Sequence, residues 1–183
     1  MAYDVAVLIG SLRKESLTRQ LVEALKTIAP QGLKLDIVEI GDLPHFNADN
    51  EATPSPAVTA FKQRIEKADA VLFATPEYNR SVPGVLKNAI DTGSRPYGKS
   101  SWNGKPAAVI SISQGVLSGF GANHHLRQSL TFLNMPTLQQ PEAYIAQVQT
   151  VLDGKGGFAK PETKTFLENF LKAFESWIGK VKG

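Results

Sequence analysis

The chain has 183 residues, a net charge of +3 and 42% hydrophobic residues, values that suit a globular protein with a full core. It has no cysteine, which excludes structural disulfides, thiolate metal sites and a thiol nucleophile, and which fits a reducing compartment, expected to be the cytoplasm. No apolar run approaches the roughly 20 residues of a membrane span, the N-terminus has no signal-peptide pattern, and the scattered Lys and Arg residues form no nucleic-acid surface.

Apolar runs and helical patterns alternate along the chain. Val5 to Ile9 is a short continuous apolar run, as expected of a strand buried on both faces. Leu17, Leu21, Leu25 and Ile28 then mark one side of a helix. Leu33 to Ile40 alternates and predicts a second strand, followed by a polar loop from Gly41 to Thr53. Ser55-Pro56 is a helix start, with Val58, Phe61 and Ile65 on the buried face. Ala70 to Ala74 predicts a third strand, and Pro83 opens a helix carrying Val85, Leu86, Ala89 and Ile90. The excursion over residues 93–105 is rich in Gly, Ser and Pro and contains Tyr97 and Trp102. Its polarity predicts that these aromatics sit at a subunit boundary, together with Leu43, Pro44 and Phe46 of the earlier loop; the competing account is that they fold back onto their own domain as a satellite cluster. Ala107 to Ile112 is the fourth strand, the helix after it carries Ala122, Leu126, Leu130 and Leu133, and Glu142 to Ala146 is a weaker fifth strand. The last helix places Phe166, Phe170, Phe174 and Trp177 on one core-facing stripe.

This alternation predicts an α/β fold over residues 1–183 as one domain: a flavodoxin-like three-layer sandwich with a five-stranded parallel sheet of order 2-1-3-4-5. In that order the crevice opens between strands one and three. Ligands should therefore meet the loops after Ile9 and Ala74.

Those loops hold the candidate chemistry. Gly10-Ser-Leu-Arg-Lys-Glu-Ser-Leu-Thr18 lies between a buried strand and a helix N-terminus, where free N–H groups favour an anion. Ser11, Ser16 and Thr18 add hydroxyls and Arg13 adds a guanidinium suited to phosphate. The spacing matches neither a P-loop nor a Gly-x-Gly-x-x-Gly fingerprint. In Thr75-Pro-Glu-Tyr-Asn-Arg-Ser-Val-Pro83 two prolines fix a loop whose amides can meet the polar edge of a flat heterocycle. Tyr78 can pack along such a ring, and Asn79 can donate and accept. The glycines of Ser113 to Gly121 permit close approach of the backbone to a ligand. No metal site is expected: His124 and His125 are adjacent on a predicted helix and face different sides. Ser11 has no Gly-x-Ser-x-Gly context, so a hydrolase elbow is unsupported.

Taken together, the loops resemble the NADPH-dependent FMN reductases, most closely the bacterial quinone and chromate reductase branch. The likeness rests on Gly10-Ser-Leu-Arg13 with Ser16, on Thr75-Pro-Glu-Tyr-Asn79, on Ser81 to Asp91 and on His125-Leu-Arg-Gln128. It implies that Ser11, Arg13, Ser16 and Thr18 hold the FMN phosphate. It also implies that Pro76, Glu77, Tyr78 and Asn79 lie along the isoalloxazine, and that Ser113 and Gly115 close the other edge. Reducing equivalents would pass from NADPH or NADH through the flavin, with no catalytic side chain. They would go to a small acceptor such as a quinone, chromate, an azo compound or free flavin, by ping-pong turnover. The resemblance further implies a homodimer or homotetramer, with Glu77, Arg80, Arg127 and Glu142 near subunit contacts. Two positions depart from the pattern. Thr92 stands where relatives often carry a bulky aromatic, and Ser118-Gly119-Phe120 replaces paired glycines. The competing readings are a non-enzymatic electron carrier, usually strongly acidic and so at odds with the net charge of +3, and an FMN-free phosphate-ligand sensor on the same fold.

Overall fold

The computed structural model describes residues 1–183. Five parallel strands form one sheet: β1 (Tyr3–Ile9), β2 (Leu33–Val38), β3 (Ala70–Thr75), β4 (Ala107–Ile112) and β5 (Ala143–Ile145). Their order is β2-β1-β3-β4-β5, as the alternating pattern predicts. The strand period of two sends Val5, Val7 and Ile9 to one face of the sheet and Ala6 and Leu8 to the other. The first face is covered by α1 (Leu17–Ile28), the short α5 (Val148–Val151) and α6 (Pro161–Lys182). The second is covered by α2 (Pro56–Lys67), α3 (Gly84–Gly93) and α4 (Phe120–Phe132). No helix is long and apolar enough to cross a membrane.

The sheet edges explain where strand limits differ from expectation. β2 stops at Val38 rather than Ile40 because its partner turns away: Leu8 faces Val38, and after Ile9 the chain bends at Gly10, whose N–H donates to Ala74 C=O at 2.9 Å. Ile40 stays buried, but it packs against the α2 and α3 side. β5 keeps only the three residues that face Ile110 to Ile112. The α2 start is as expected, with Pro56 at the first turn and Ser55 Oγ accepting from Val58 N–H at 3.3 Å. On α6 the expected stripe packs on the core, with Phe170 and Phe174 buried and Phe166 and Trp177 half-buried. The turn of helix α5 lies in a stretch that carries no helical pattern.

Trp102 corrects one expectation. It is 0% exposed and belongs to its own chain's core, whereas Tyr97 is 88% exposed. The indole packs edge-on against Phe61 at 5.9 Å and near Phe73 at 6.0 Å, and its Nε1–H donates to Ile90 C=O at 2.8 Å. That carbonyl, in the last turn of α3, also accepts from Ser94 N–H at 3.1 Å, so the indole adds a second bond there. The ring lies so close over Gly93 that a Cβ there would sit 2.5 Å from it. Lys62 Nζ draws the excursion inward by donating to the carbonyls of Gly93, Arg95 and Lys99 at 3.3, 2.6 and 3.2 Å. The polar loop therefore buries its aromatic by wrapping the end of α3. Trp102→Ala is expected to lower unfolding free energy by about 3–5 kcal/mol, read from urea denaturation. A loss below about 1 kcal/mol would mean that the surroundings collapse into the vacated space.

Candidate functional site

At the carboxyl ends of β1, β3 and β4 the loops enclose a cleft of about 170 Å³. Its position follows from topology: the connection after β1 runs through α1 to β2 and the one after β3 runs through α3 to β4, away from each other, so neither covers the gap above β1 and β3. Ser11, Arg13, Ser16, Thr18, Pro76, Glu77, Tyr78 and Ser113 all line it, eight of the ten residues singled out in the sequence.

The first loop gathers hydrogen-bond donors at the start of α1. Ser16 is the N-cap of α1, its Oγ accepting from Arg19 N–H at 3.2 Å, and Ser11 Oγ accepts from Arg13 N–H at 3.4 Å. The N–H groups of Leu17 and Thr18, at the open end of the helix, have no protein acceptor. The hydroxyl-bearing residues Ser11, Ser16 and Thr18 are all buried, at 7%, 3% and 2% exposure. Arg13 is exposed and forms no ion pair. Donors on this loop thus exceed the protein acceptors available to them.

The second loop is held in a tight reverse turn. Tyr78 N–H donates to Ser81 C=O at 3.1 Å, and Ser81 N–H donates back to Tyr78 C=O at 3.0 Å. The two central residues, Asn79 and Arg80, have φ of 50° and 64°. Asn79 is therefore at the tip of the turn and does not line the cleft, against expectation. The Glu77 carboxylate accepts from Ala122 N–H at 3.0 Å and from Arg80 at 3.3 Å, so its oxygens tie the loop to α4. The N–H of Glu77 has no protein acceptor and remains for a ligand.

The third loop also departs from expectation. Gly115 lies outside the cleft lining, with its carbonyl accepting from Ser113 Oγ at 2.8 Å and from Gln147 N–H at 3.2 Å. The glycines that matter serve packing between loops rather than approach to a ligand. A Cβ on Gly121 would sit 2.7 Å from Arg80 C=O, and Gly119 holds φ +71° at the N-cap of α4. Ser118 takes φ 56°, a conformation usually given to glycine, and its carbonyl accepts from Ser111 Oγ at 2.9 Å. Val116, Leu117 and Phe120 are exposed on this loop and at the start of α4, and Tyr78 is exposed on the second loop.

Four further lining residues are not among the site residues expected from the sequence: Leu17, Ile112, Gln114 and Val148. Val148 arrives through tertiary structure, its N–H donating to Ser113 C=O at 3.1 Å. Of the residues expected near subunit contacts, Arg127 is engaged internally, donating to Asn123 Oδ1 and Leu138 C=O at 2.9 Å each. Glu142 accepts from Tyr144 Oη at 2.9 Å; burial first, and then this bond, pushes the Tyr144 phenol up to about 12. His124 Nε2 lies 3.1 Å from the same Oη, and His125 Nδ1 pairs instead with Ser81 Oγ at 3.0 Å, so the two histidines do face different neighbours.

The strand order and the placement of this cleft define a flavodoxin-like domain with a cleft at the β1–β3 switch point. The family model of the NADPH-dependent FMN reductases matches residues 3–150. A quinone reductase of Pseudomonas putida is 56% identical over 177 residues, covering 96% of this chain and 95% of the relative. A 2-hydroxy-1,4-benzoquinone reductase of Burkholderia sp. is 42% identical over 178 residues, covering 97% of each. Among solved structures, the flavoenzyme NAD(P)H:(acceptor) oxidoreductase FerB from Paracoccus denitrificans superposes with a TM-score of 0.91 at 45% identity over 98% of both chains. The chain belongs to the NADPH-dependent FMN reductase family of enzymes.

The turn of the second loop generates a prediction. Arg80 holds a left-handed conformation that costs a non-glycine residue about 1–2 kcal/mol, and its 71% exposed side chain recovers little from Glu77. Arg80→Gly is expected to raise stability by about 0.5–1 kcal/mol, read from urea midpoints at unchanged slope. A lower midpoint would mean that the contact with Glu77 outweighs the strain.

Proposed function

We propose that this chain binds FMN in the β1–β3 cleft and transfers reducing equivalents from NADH or NADPH to a quinone or a similar small acceptor. The observation that carries this reading is the excess of donors on the first loop. A phosphate monoester has several acceptor oxygens and close to two negative charges. It matches the N–H groups of Leu17 and Thr18, the hydroxyls of Ser11, Ser16 and Thr18, and the unpaired Arg13 guanidinium. The N–H of Glu77 supplies a donor for the polar edge of the ring system, and Tyr78 and Pro76 supply apolar surface beside it.

When bound, FMN supplies hydride acceptance and donation at its N5 atom. The protein's own part is to bind and orient. The α1 N-terminus and Arg13 neutralise the phosphate charge, and the twin prolines and the Tyr78–Ser81 turn keep the second loop in one shape. Glu77 fixes the distance from that loop to α4. The crevice leaves one face for nicotinamide and acceptor, so they take turns and turnover is ping-pong. Quinone is the acceptor class that the names of the relatives favour, with chromate, azo compounds and free flavin as members of the same open-face set. A cytoplasmic location belongs to this reading because the reaction draws on reduced nicotinamide.

A homo-oligomer completes the site. The cleft of one chain, about 170 Å³, is below the roughly 300–1,000 Å³ of pockets that enclose a ligand of this size. The exposed Val116, Leu117 and Phe120 follow the cleft-lining Ser113 and Gln114 in the chain and suit the face of a second copy.

Three measurements test this. Arg13→Ala is expected to raise the FMN dissociation constant roughly tenfold to a hundredfold without changing the melting point of the apoprotein, and riboflavin should bind wild type far more weakly than FMN. An unchanged constant would remove Arg13 from the phosphate site. Double-reciprocal plots with NAD(P)H varied at several quinone concentrations should be parallel; intersecting lines would contradict a shared face. Light scattering at micromolar concentration should give a dimer or tetramer, and Phe120→Asp should weaken it and lower turnover together. A wild-type monomer with full activity would overturn the shared-wall reading.

A further inference from the structure

Helix α4 places an amide where its pattern calls for an apolar side chain. Ala122, Leu126 and Leu130 are buried on the face that meets the sheet, and Asn123 is buried with them at 0% exposure. A buried amide costs free energy unless both of its ends are hydrogen-bonded. Both are bonded here. Asn123 Oδ1 accepts from Arg127 Nε at 2.9 Å, and Asn123 Nδ2 donates to Ser111 Oγ at 3.1 Å. Ser111, on β4, is also 0% exposed, and its Oγ donates to Ser118 C=O at 2.9 Å. The direction of these bonds is forced. A guanidinium only donates, so Asn123 must turn its oxygen to Arg127 and its NH2 to Ser111. The Ser111 oxygen receives that bond, and its own hydrogen is left for Ser118 C=O. Arg127 is fixed in turn by donating to Leu138 C=O at 2.9 Å.

The last acceptor of this relay is a strained residue. Ser118 has φ 56° and is followed by Gly119 at φ 71°. Ser111 and Ser118 bracket the third loop, so the bond between them closes its base. The other side of the loop is held from the start of α5. The N–H groups of Val148 and Gln147 donate to Ser113 C=O and Gly115 C=O at 3.1 and 3.2 Å, and Gln149 Nε2 donates to Gln114 C=O at 3.3 Å. Inside the loop, Ser118 Oγ donates to Val116 C=O and Phe120 N–H donates to Leu117 C=O. Every carbonyl from Ser113 to Ser118 is therefore taken by the protein, whereas the N–H groups of Gln114, Gly115 and Val116 have no acceptor in the chain. Ser113 and Gln114 are the part of this loop that lines the cleft. A left-handed serine persists only where its surroundings leave it no alternative, and the relay supplies that constraint.

We propose that Asn123 is a positioning residue for the reaction: through Ser111 it keeps Ser118 left-handed and holds the third loop in the shape that receives the flavin. Asn123 is not part of the cleft lining, so its effect reaches the ligand only through the loop. The role requires a group that accepts from Arg127 and donates to Ser111. A carboxylate in its place accepts on both sides, draws the Ser111 hydrogen to itself and releases Ser118 C=O. The proposal rests on the reading that FMN occupies the cleft.

Fluorescence of FMN released on dilution of the holoenzyme gives the dissociation constant that tests it. Asn123→Asp, nearly equal in volume, is expected to raise the constant about threefold to tenfold. In a chain that carries Ser118→Gly, the same substitution should change it less than twofold, because glycine adopts the left-handed conformation without support. A role in core stability alone would not be repaired by glycine at a residue that Asn123 does not touch. Ser111→Ala removes the last link, should repeat both results, and decides the matter if Asn123→Asp does not fold. A constant that stays at the wild-type value in Asn123→Asp and Ser111→Ala overturns the proposal, as does a loss that Ser118→Gly leaves unrepaired. Wild-type protein that holds no FMN overturns it together with the reading of the cleft; FMN-bound wild type with unmoved variants overturns this proposal alone.

Discussion

The functional architecture depends on backbone groups left unsatisfied where β1 ends and α1 begins. A parallel strand flanked on both sides must end in a loop that feeds a helix, and the first N–H groups of that helix have no intrahelical acceptor. Here the N–H groups of Leu17 and Thr18 open into the cleft, and Gly10 directs the turn toward β3 by donating to Ala74. Gly10 is confined as well: a Cβ there would sit 3.1 Å from the Pro76 ring and 3.3 Å from Leu86. The same residue that frees the helix terminus therefore brings the first and second loops together.

The second loop is fixed from three directions. At its start, Thr75 Oγ1 donates to Pro76 C=O at 2.7 Å. At its tip, two reciprocal hydrogen bonds hold Asn79 and Arg80 in left-handed conformations. From the side, Glu77 reaches the first turn of α4, an approach that Gly121 permits by having no Cβ. A carboxylate at a helix N-terminus is favourable on charge grounds alone. Its use here is geometric, since it ties the second loop to the first turn of α4. Local strain at Arg80 is tolerated because the surrounding bonds leave the turn no alternative.

Support for α3 comes from the far side of the molecule. Trp102 seals the end of the helix by occupying the space over Gly93 and capping Ile90 C=O, and Lys62 holds the following carbonyls. The second loop enters α3 directly, so its position depends on this packing. The wrapped excursion also contributes Arg95 and Pro96 to a second cavity, which Thr92 of α3 borders as well.

The strands, their order and the first loop were legible in the sequence because their determinants are local. Continuous apolar runs require burial on both faces, alternation with helices requires right-handed crossovers, and Ser16 and Ser55 announce helix starts. The placement of Ser11, Arg13, Ser16 and Thr18 around one cleft followed from that order. Tertiary structure decided what depends on partners distant in the chain. Trp102 looked like a surface aromatic until Ile90 and Gly93 supplied a carbonyl and a space for it. Asn79 and Gly115 left the cleft because turn bonds and neighbouring donors claimed their backbone, whereas Val148 entered it through one bond to Ser113. Composition and periodicity specify which face of an element is buried; only the packed chain determines which polar group finds a partner and which, like the Thr92 hydroxyl, is left with none.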